Sequence, residues 1–436
     1  MGQIIFFDSA RKGGTGKSKI SVNTAVTMAM DSQKILLIEA DYTNPNYIST
    51  YKQFLENDEN KNSYEWFKDV MSHRAKKTAM KNRVHSELKK KLKEQLKAEN
   101  PNLTDVDLEA KANSVIEEKT SKETEEYPKK EPQLENYVQK TKIDNMQVLI
   151  GKKNQNDLLE QIVLENKGIF RVNPIFIENR LKDDFIKNVR KLSKEYDSII
   201  IDGYAGYDYL TRKLFGIADK HVMIAENNKA SVESVYNNMY DTINKIFALM
   251  INRNPVAYDI SEHYNISTAN KTGIKIYDEV IEKAKEVHKE LTDYELKKCR
   301  KEPISEAEEE IYQKFNTNKD IINALIEESN YRKDNLTTLC IVINKVNADI
   351  FGKQRDLAIK NYNSLKNGFQ GYGIRAITPG IEKNSDAGII YYYKDFYKED
   401  TEGMPLAYLN PNHDFSSQIK NLASFIKSDE CWRKEQ

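Results

Sequence analysis

Between Arg11 and Lys19 the chain reads RKGGTGKSK, and what flanks this stretch leaves few folds open. Ile4 to Asp8 (IIFFD) is a short run of buried-strand character, and Lys17 to Met30 (KSKISVNTAVTMAM) carries the apolar spacing of a helix. Strand, glycine-rich turn and helix N-terminus make the setting in which backbone N–H groups converge on phosphate oxygens, with the helix dipole adding to the attraction. Gly13, Gly14, Thr15, Gly16, Lys17 and Ser18 fill that turn. In such a loop the lysine, here Lys17, reaches the β- and γ-phosphates, and the hydroxyl of Ser18 sits on Mg²⁺. A second lysine, Lys12, precedes the glycines, and a loop that already has its phosphate lysine does not need another for the same nucleotide.

Two further stretches supply carboxylates. Ile35 to Ile38 in KILLIEADYTNPN is an aliphatic strand that runs out into Glu39 and Asp41, and Ser198 to Ile201 in KEYDSIIIDGYAG ends on Asp202. The carboxyl ends of parallel strands are where an open α/β sheet places its ligand chemistry. An aliphatic run closing on Asp is a weak signal alone and a stronger one beside a phosphate loop, where it reads as the magnesium carboxylate.

KGGTGKS, with lysine at its start, resembles the deviant Walker A motif of the ParA/MinD family of ATPases. LLIEAD resembles that family's second Asp-bearing strand, IIIDGYAG its Asp-x-Pro-Ala-Gly switch, and HVMIAENNKASVESV its next strand and loop. LCIVINKV resembles the strand whose Asn contacts the base, and the stretch from AITPG to GMPLAYLNPNHDF resembles the C-terminal part. The matching blocks are residues 1–50, 165–250 and 336–427. The resemblance implies an α/β fold: a P-loop NTPase with a mostly parallel sheet flanked by helices, plus two helical insertions. It implies ATP and Mg²⁺ as cofactors, with Gly13, Gly14, Thr15, Gly16, Lys17, Ser18, Lys19, Gly206, Asn344 and Pro379 around the nucleotide and Ser18, Asp41 and Asp202 around the metal. By the same resemblance Lys12 reaches across a dimer interface to phosphates held by the partner subunit, where a cation from each side offsets the repulsion of two facing nucleotides. Lys12, Lys17 and Asp41 then carry catalysis, Asp41 orienting the attacking water, while the Gly206 N–H senses the γ-phosphate and Asn344 faces adenine. Phosphoryl transfer asks for little beyond such positioning and charge. Three residues depart from the family pattern: Lys19 follows Ser18 where a second hydroxyl is common, Glu39 replaces an Asp, and Tyr204 replaces the switch proline. For Lys19 the expected place is the α-phosphate or solvent.

The 436 residues exceed one such domain. The expected core is 1–50, 146–250 and 336–436, interrupted by a charged helical insert at 51–145 and a second helical insert at 251–335. In the first insert, Arg74 to Glu99 holds ten Lys or Arg against three Glu, and Met80, Val84, Leu88, Leu92 and Leu96 recur at every fourth position as a narrow stripe. Asp105 to Glu135 is acidic, ten Asp or Glu against five Lys, and Thr104 with Asp107 has the layout of a helix cap. The ordinary reading is a hairpin whose arms neutralise each other; the sharper one is a basic face for DNA phosphates or a partner. Residues 121–133 (SKETEEYPKKEPQ) read as a flexible connector. The second insert is expected to form helices over Ile276 to Cys299 and Glu306 to Ser329, as an interaction surface or as cover for one end of the sheet.

Lys plus Arg and Asp plus Glu both number 67, a balance that excludes a chain acting as a general electrostatic glue for nucleic acid or membrane. Phe415, Ile419, Leu422, Phe425 and Ile426 form a helical stripe near the C-terminus, followed by SDECWRKEQ. This tail lacks the Lys-rich polar face of an interfacial membrane helix, so core packing is expected. With no signal-peptide layout and no long apolar run, a cytoplasmic protein is expected. Two functions follow. One is a slow, partner-stimulated ATPase that forms a homodimer with ATP and positions or partitions DNA or a protein cargo, with nonspecific DNA and an adaptor as partners. The other is a nucleotide switch on a protein machine (conjugation, secretion, division or defence) without DNA binding.

Overall fold

The computed structural model describes residues 2–9, 13–41, 45–55, 61–99, 131–153, 155–170, 174–204, 208–269, 271–347, 351–379, 388–392, 397–429 and 432, with single positions between 104 and 116. Among the described residues nine strands form one sheet: β1 (Gln3–Asp8), β2 (Ile35–Glu39), β3 (Gln139–Lys140), β4 (Met146–Leu149), β5 (Ser198–Asp202), β6 (Lys220–Glu226), β7 (Thr338–Asn347), β8 (Arg375–Ile377) and β9 (Ile389–Tyr392). Their order is β3-β4-β2-β5-β1-β6-β7-β8, with β9 also paired to β7. Every pairing is parallel except β3 with β4. Parallel strands covered on both faces need apolar side chains in both directions, which is why β2 (ILLIE) and β5 (SIIID) are aliphatic runs buried along their whole length.

The two faces carry separate apolar layers. One is built on helix α1 (Lys17–Met30), the Leu406–Leu409 turn and the C-terminal helix Asp414–Lys427. Phe415, Ile419, Leu422 and Ile426 of that last helix are fully buried and Phe425 packs half-buried beside them, so the C-terminal stripe is core as expected. Among the described residues no helix is long and apolar enough to cross a membrane. The opposite layer includes helix α2 (Ser63–Glu99), Pro174–Leu192, Lys229–Arg253, Gly273–Arg300 and Phe351–Gln370.

The inserted helices are anchored by their own apolar turns. Helix α2 begins at Ser63, before the basic run that opens at Arg74, and its first turns put Trp66, Phe67, Val70 and Met71 in the core. Trp66 and Phe67 meet Phe185 at ring distances of 5.7 and 5.3 Å. Farther out Val84 is buried and Met80, Leu88, Leu92 and Leu96 are half-buried, with Ala112 and Ile116 buried as well. Lys89 and Lys93 both pair with Glu109, and the Thr104 hydroxyl receives the Asp107 N–H at 3.2 Å, as in a helix cap. Residues 121–130 of the expected connector lie outside the described residues.

In the second insert, Gly273–Arg300 buries Tyr277, Val280, Ile281, Ala284, Val287 and Leu291, and Tyr277 packs on Phe247 at 5.0 Å. The helix expected over Glu306 to Ser329 is two helices, Glu306–Phe315 and Lys319–Thr337, separated by a tight turn at Asn316–Asn318. Buried Phe315 anchors the chain just before that turn, and Ser305 with Glu308 closes a capping box at the start.

Candidate functional site

The glycine-rich turn leaves β1 and enters α1 at the carboxyl end of the sheet. Gly14 and Gly16 both take left-handed backbone conformations, φ +76° and +83°. At Gly13 and Gly14 an added Cβ would meet nothing within 4 Å, whereas at Gly16 it would stand 2.5 Å from Nδ2 of Asn344. Gly16 is the N-cap of α1; no side chain caps the helix and no acidic residue lies in its first turn. A helix start with bare N–H groups and open space over its glycines suits an anion.

Lys17 is buried, and its ammonium pairs with Oδ1 of Asp202, itself fully buried at the end of β5. The other oxygen, Oδ2, receives the Tyr47 hydroxyl at 3.0 Å. Ser18 sits half-buried in the first turn of α1, its carbonyl taking the Ser21 hydroxyl at 3.1 Å. Asp41 is half-buried just past β2, next to Ala40, whose N–H donates to the Asp202 carbonyl at 2.9 Å. Asn344, on β7, donates from Nδ2 to the Thr15 carbonyl at 2.6 Å. The fold therefore gathers Thr15, Gly16, Lys17, Asp202 and Asn344 into one bonded cluster, with Ser18 and Asp41 on adjoining turns. The donor set fits a nucleotide with Mg²⁺: a lysine, a hydroxyl and carboxylates beside an uncapped glycine turn.

Pro379 is buried next to Thr378, whose hydroxyl bonds the Ile341 carbonyl of β7 at 2.9 Å. Lys12 and Gly206 lie outside the described residues. Lys19 is found neither toward the loop nor toward open solvent alone: its ammonium lies 3.6 Å from Oε2 of buried Glu399. Burial raises the Glu399 carboxyl above the usual range, against the Leu406 N–H, Asn23 and Lys19. Asn23 of α1 donates to Glu399 at 2.7 Å and accepts the Ala407 N–H at 2.8 Å, so this pair ties the C-terminal segment to the phosphate helix.

Glu39 lies opposite Asp202 in the β2–β5 register. Its Oε1 accepts the N–H groups of Asn46 at 2.7 Å and Tyr47 at 3.0 Å, and its Oε2 that of Gly151 at 3.2 Å. Burial pushes its carboxyl up to about 8; the three N–H bonds act against this and the charge of Asp202 adds to it. Sequence reasoning noted Glu39 as a strand-end carboxylate and as a departure from the family pattern, and did not find Tyr47, Glu399 or Lys345. Lys345 takes φ +59° and bridges the Gly14 carbonyl to Glu226 of β6, 2.6 Å from that carboxylate. A positive charge one residue after Asn344 was the available signal for it.

Among solved structures, the chain is similar to the cell division ATPase MinD of Pyrococcus furiosus, at 12% identity over 98% of this chain and 99% of that one, with a TM-score of 0.44. The septum site-determining protein MinD complexed with Mg-ADP from Pyrococcus horikoshii OT3 matches at 11% identity over 100% of both chains, TM-score 0.43. Apo McdA from Cyanthece matches at 11% over 98% of this chain and 100% of that one, TM-score 0.46. No curated protein matches the sequence. A family model described as an AAA domain matches residues 2–254, the part that holds the glycine turn, Asp41 and Asp202. With more than half of its length carried by that model, the chain belongs to the AAA-domain family of ParA/MinD-type P-loop ATPases.

Proposed function

We propose that this protein hydrolyses ATP slowly, forms a homodimer in the ATP state, and positions or partitions DNA or a protein cargo, with an adaptor protein stimulating hydrolysis. The observation that carries the reading is the pairing of Lys17 with Asp202 directly beneath the uncapped glycine turn. Two groups of opposite charge, each needed by a different part of Mg-ATP, are held together and ready to separate. With Mg-ATP bound, Lys17 would hold the β- and γ-phosphates, and Asp202, Ser18 and Asp41 would hold the metal. Mg²⁺ supplies neutralisation of the phosphate charge. Asp41 orients the attacking water, and the Gly206 N–H meets the γ-phosphate. Asn344, already fixed on Thr15, faces adenine near Pro379. Lys12 acts across the dimer on the partner's phosphates. The division into a core of 1–50, 146–250 and 336–436 with two inserts, the cytoplasmic setting and the absence of membrane attachment belong to the same proposal. In the dimerisation test, light scattering should report a mass doubling with ATP and none with ADP. Lys12→Ala should keep ATP binding and lose the doubling; a variant that still dimerises with ATP would remove the role given to Lys12.

A specific observation favours the second reading, a nucleotide switch docking on a protein machine. Lys89 and Lys93 in the basic arm are engaged by Glu109, which lowers the charge left for phosphates. A gel shift on unrelated duplex DNA separates the two. A partition ATPase should retain DNA with ATP only, and a protein making 6–10 phosphate contacts loses about 10³–10⁵ in affinity between 50 and 200 mM salt. Absence of a shift with ATP at low salt would move the assignment to the protein-machine switch.

A further inference from the structure

We infer that Tyr47 is a positioning residue for the metal site: its hydroxyl fixes the Asp202 carboxylate. The inference rests on the Mg-nucleotide reading of the site given above. Asp202 has two oxygens and two partners, Lys17 on Oδ1 and Tyr47 on Oδ2. Once Lys17 turns to phosphate, the Tyr47 hydroxyl is the contact that still fixes the carboxylate's rotation, with Oδ1 directed to the loop.

Tyr47 is itself held on every side. Its N–H and that of Asn46 are bound by Glu39, one strand over from Asp202 and in register with it. Its ring is 1% exposed and meets Tyr51 edge-on at 5.9 Å. Its hydroxyl donates to Oδ2 of Asp202. A hydroxyl so constrained costs no ordering when the metal arrives. Hydrogen-bond partners of metal-binding carboxylates commonly contribute 10–100-fold to metal affinity.

Tyr47→Phe in the full chain tests this, because it keeps the ring and removes the hydroxyl. Binding of a fluorescent ADP analogue is followed while Mg²⁺ is titrated, and again in EDTA. The Mg²⁺ half-point should rise about tenfold while the affinity in EDTA stays unchanged. Glu39→Ala, which removes the acceptor of the Tyr47 N–H while taking away no hydrogen bond of Asp202, should move the half-point the same way by less, and it serves if Tyr47→Phe does not fold. Half-points equal to wild type in the folded variants would overturn the role of Tyr47. Asp202→Asn distinguishes the two levels: if wild-type binding ignores Mg²⁺, or Asp202→Asn leaves its Mg²⁺ dependence intact, the site reading itself fails and the inference with it.

Discussion

Lys17→Ala is expected to lower ATP hydrolysis by about 10²–10³-fold, the usual effect of deleting one preorganised charge-stabilising group, and to destabilise the fold as well. The second effect is specific to this arrangement. Asp202 is fully buried and Lys17 is its ion-pair partner, with Tyr47 supplying a neutral hydrogen bond. Removing one member of a buried pair strands the other charge, at a typical cost of about 3–5 kcal/mol. The two effects separate in a cycle. Asp202→Asn added to Lys17→Ala replaces the stranded charge with an amide that can still accept from Tyr47, so denaturant unfolding should recover much of the lost stability. Hydrolysis should stay at background, because the proposed mechanism needs both groups on Mg-ATP. If Lys17→Ala unfolds at the wild-type denaturant concentration, Lys17 and Asp202 do not depend on each other in the folded protein.

That cycle also shows which parts of the site could be read from the chain. Gly13 to Ser18, Asp41 and Asp202 are legible because a strand, a turn and a helix start are local events, and the buried parallel strands β1, β2 and β5 are near-continuous aliphatic runs. Tyr47 and Asp202 are 155 positions apart, and Asn23 and Glu399 are 376 apart. No periodicity spans such distances; only the strand order β2-β5-β1 and the return of the C-terminal segment onto α1 create them. Lys19 illustrates the same limit. Next to Ser18 it reads as a phosphate or solvent lysine, and the carboxylate that takes it lies near the far end of the chain. The start of α2 was hidden differently. Charge dominates the stretch after Arg74, while Trp66 and Phe67, in the first turns of α2, belong to the core.

Gly16→Ala is expected to cost both stability and base recognition, and its two causes can be weighed against each other. The first is backbone strain: at φ +83° an L-residue pays roughly 1–2 kcal/mol. The second is collision, since the new Cβ would lie 2.5 Å from Nδ2 of Asn344. That nitrogen is the end of a side chain and can rotate away. Moving it, however, breaks the 2.6 Å bond to the Thr15 carbonyl, and leaving a buried polar group unpaired costs about 1–3 kcal/mol. Asn344→Ala removes the obstacle and leaves the strain. If collision matters, Gly16→Ala is less damaging in the Asn344→Ala background than in the wild type, with a coupling of about 0.5–3 kcal/mol in denaturant unfolding. If only the dihedral matters, the two substitutions add. Base choice gives an independent reading: Asn344→Ala should narrow the preference for ATP over GTP, and Gly16→Ala, by displacing the same amide, should narrow it in the same direction. An additive cycle with the ATP preference intact in Gly16→Ala would mean that Asn344 props the loop without reading the base.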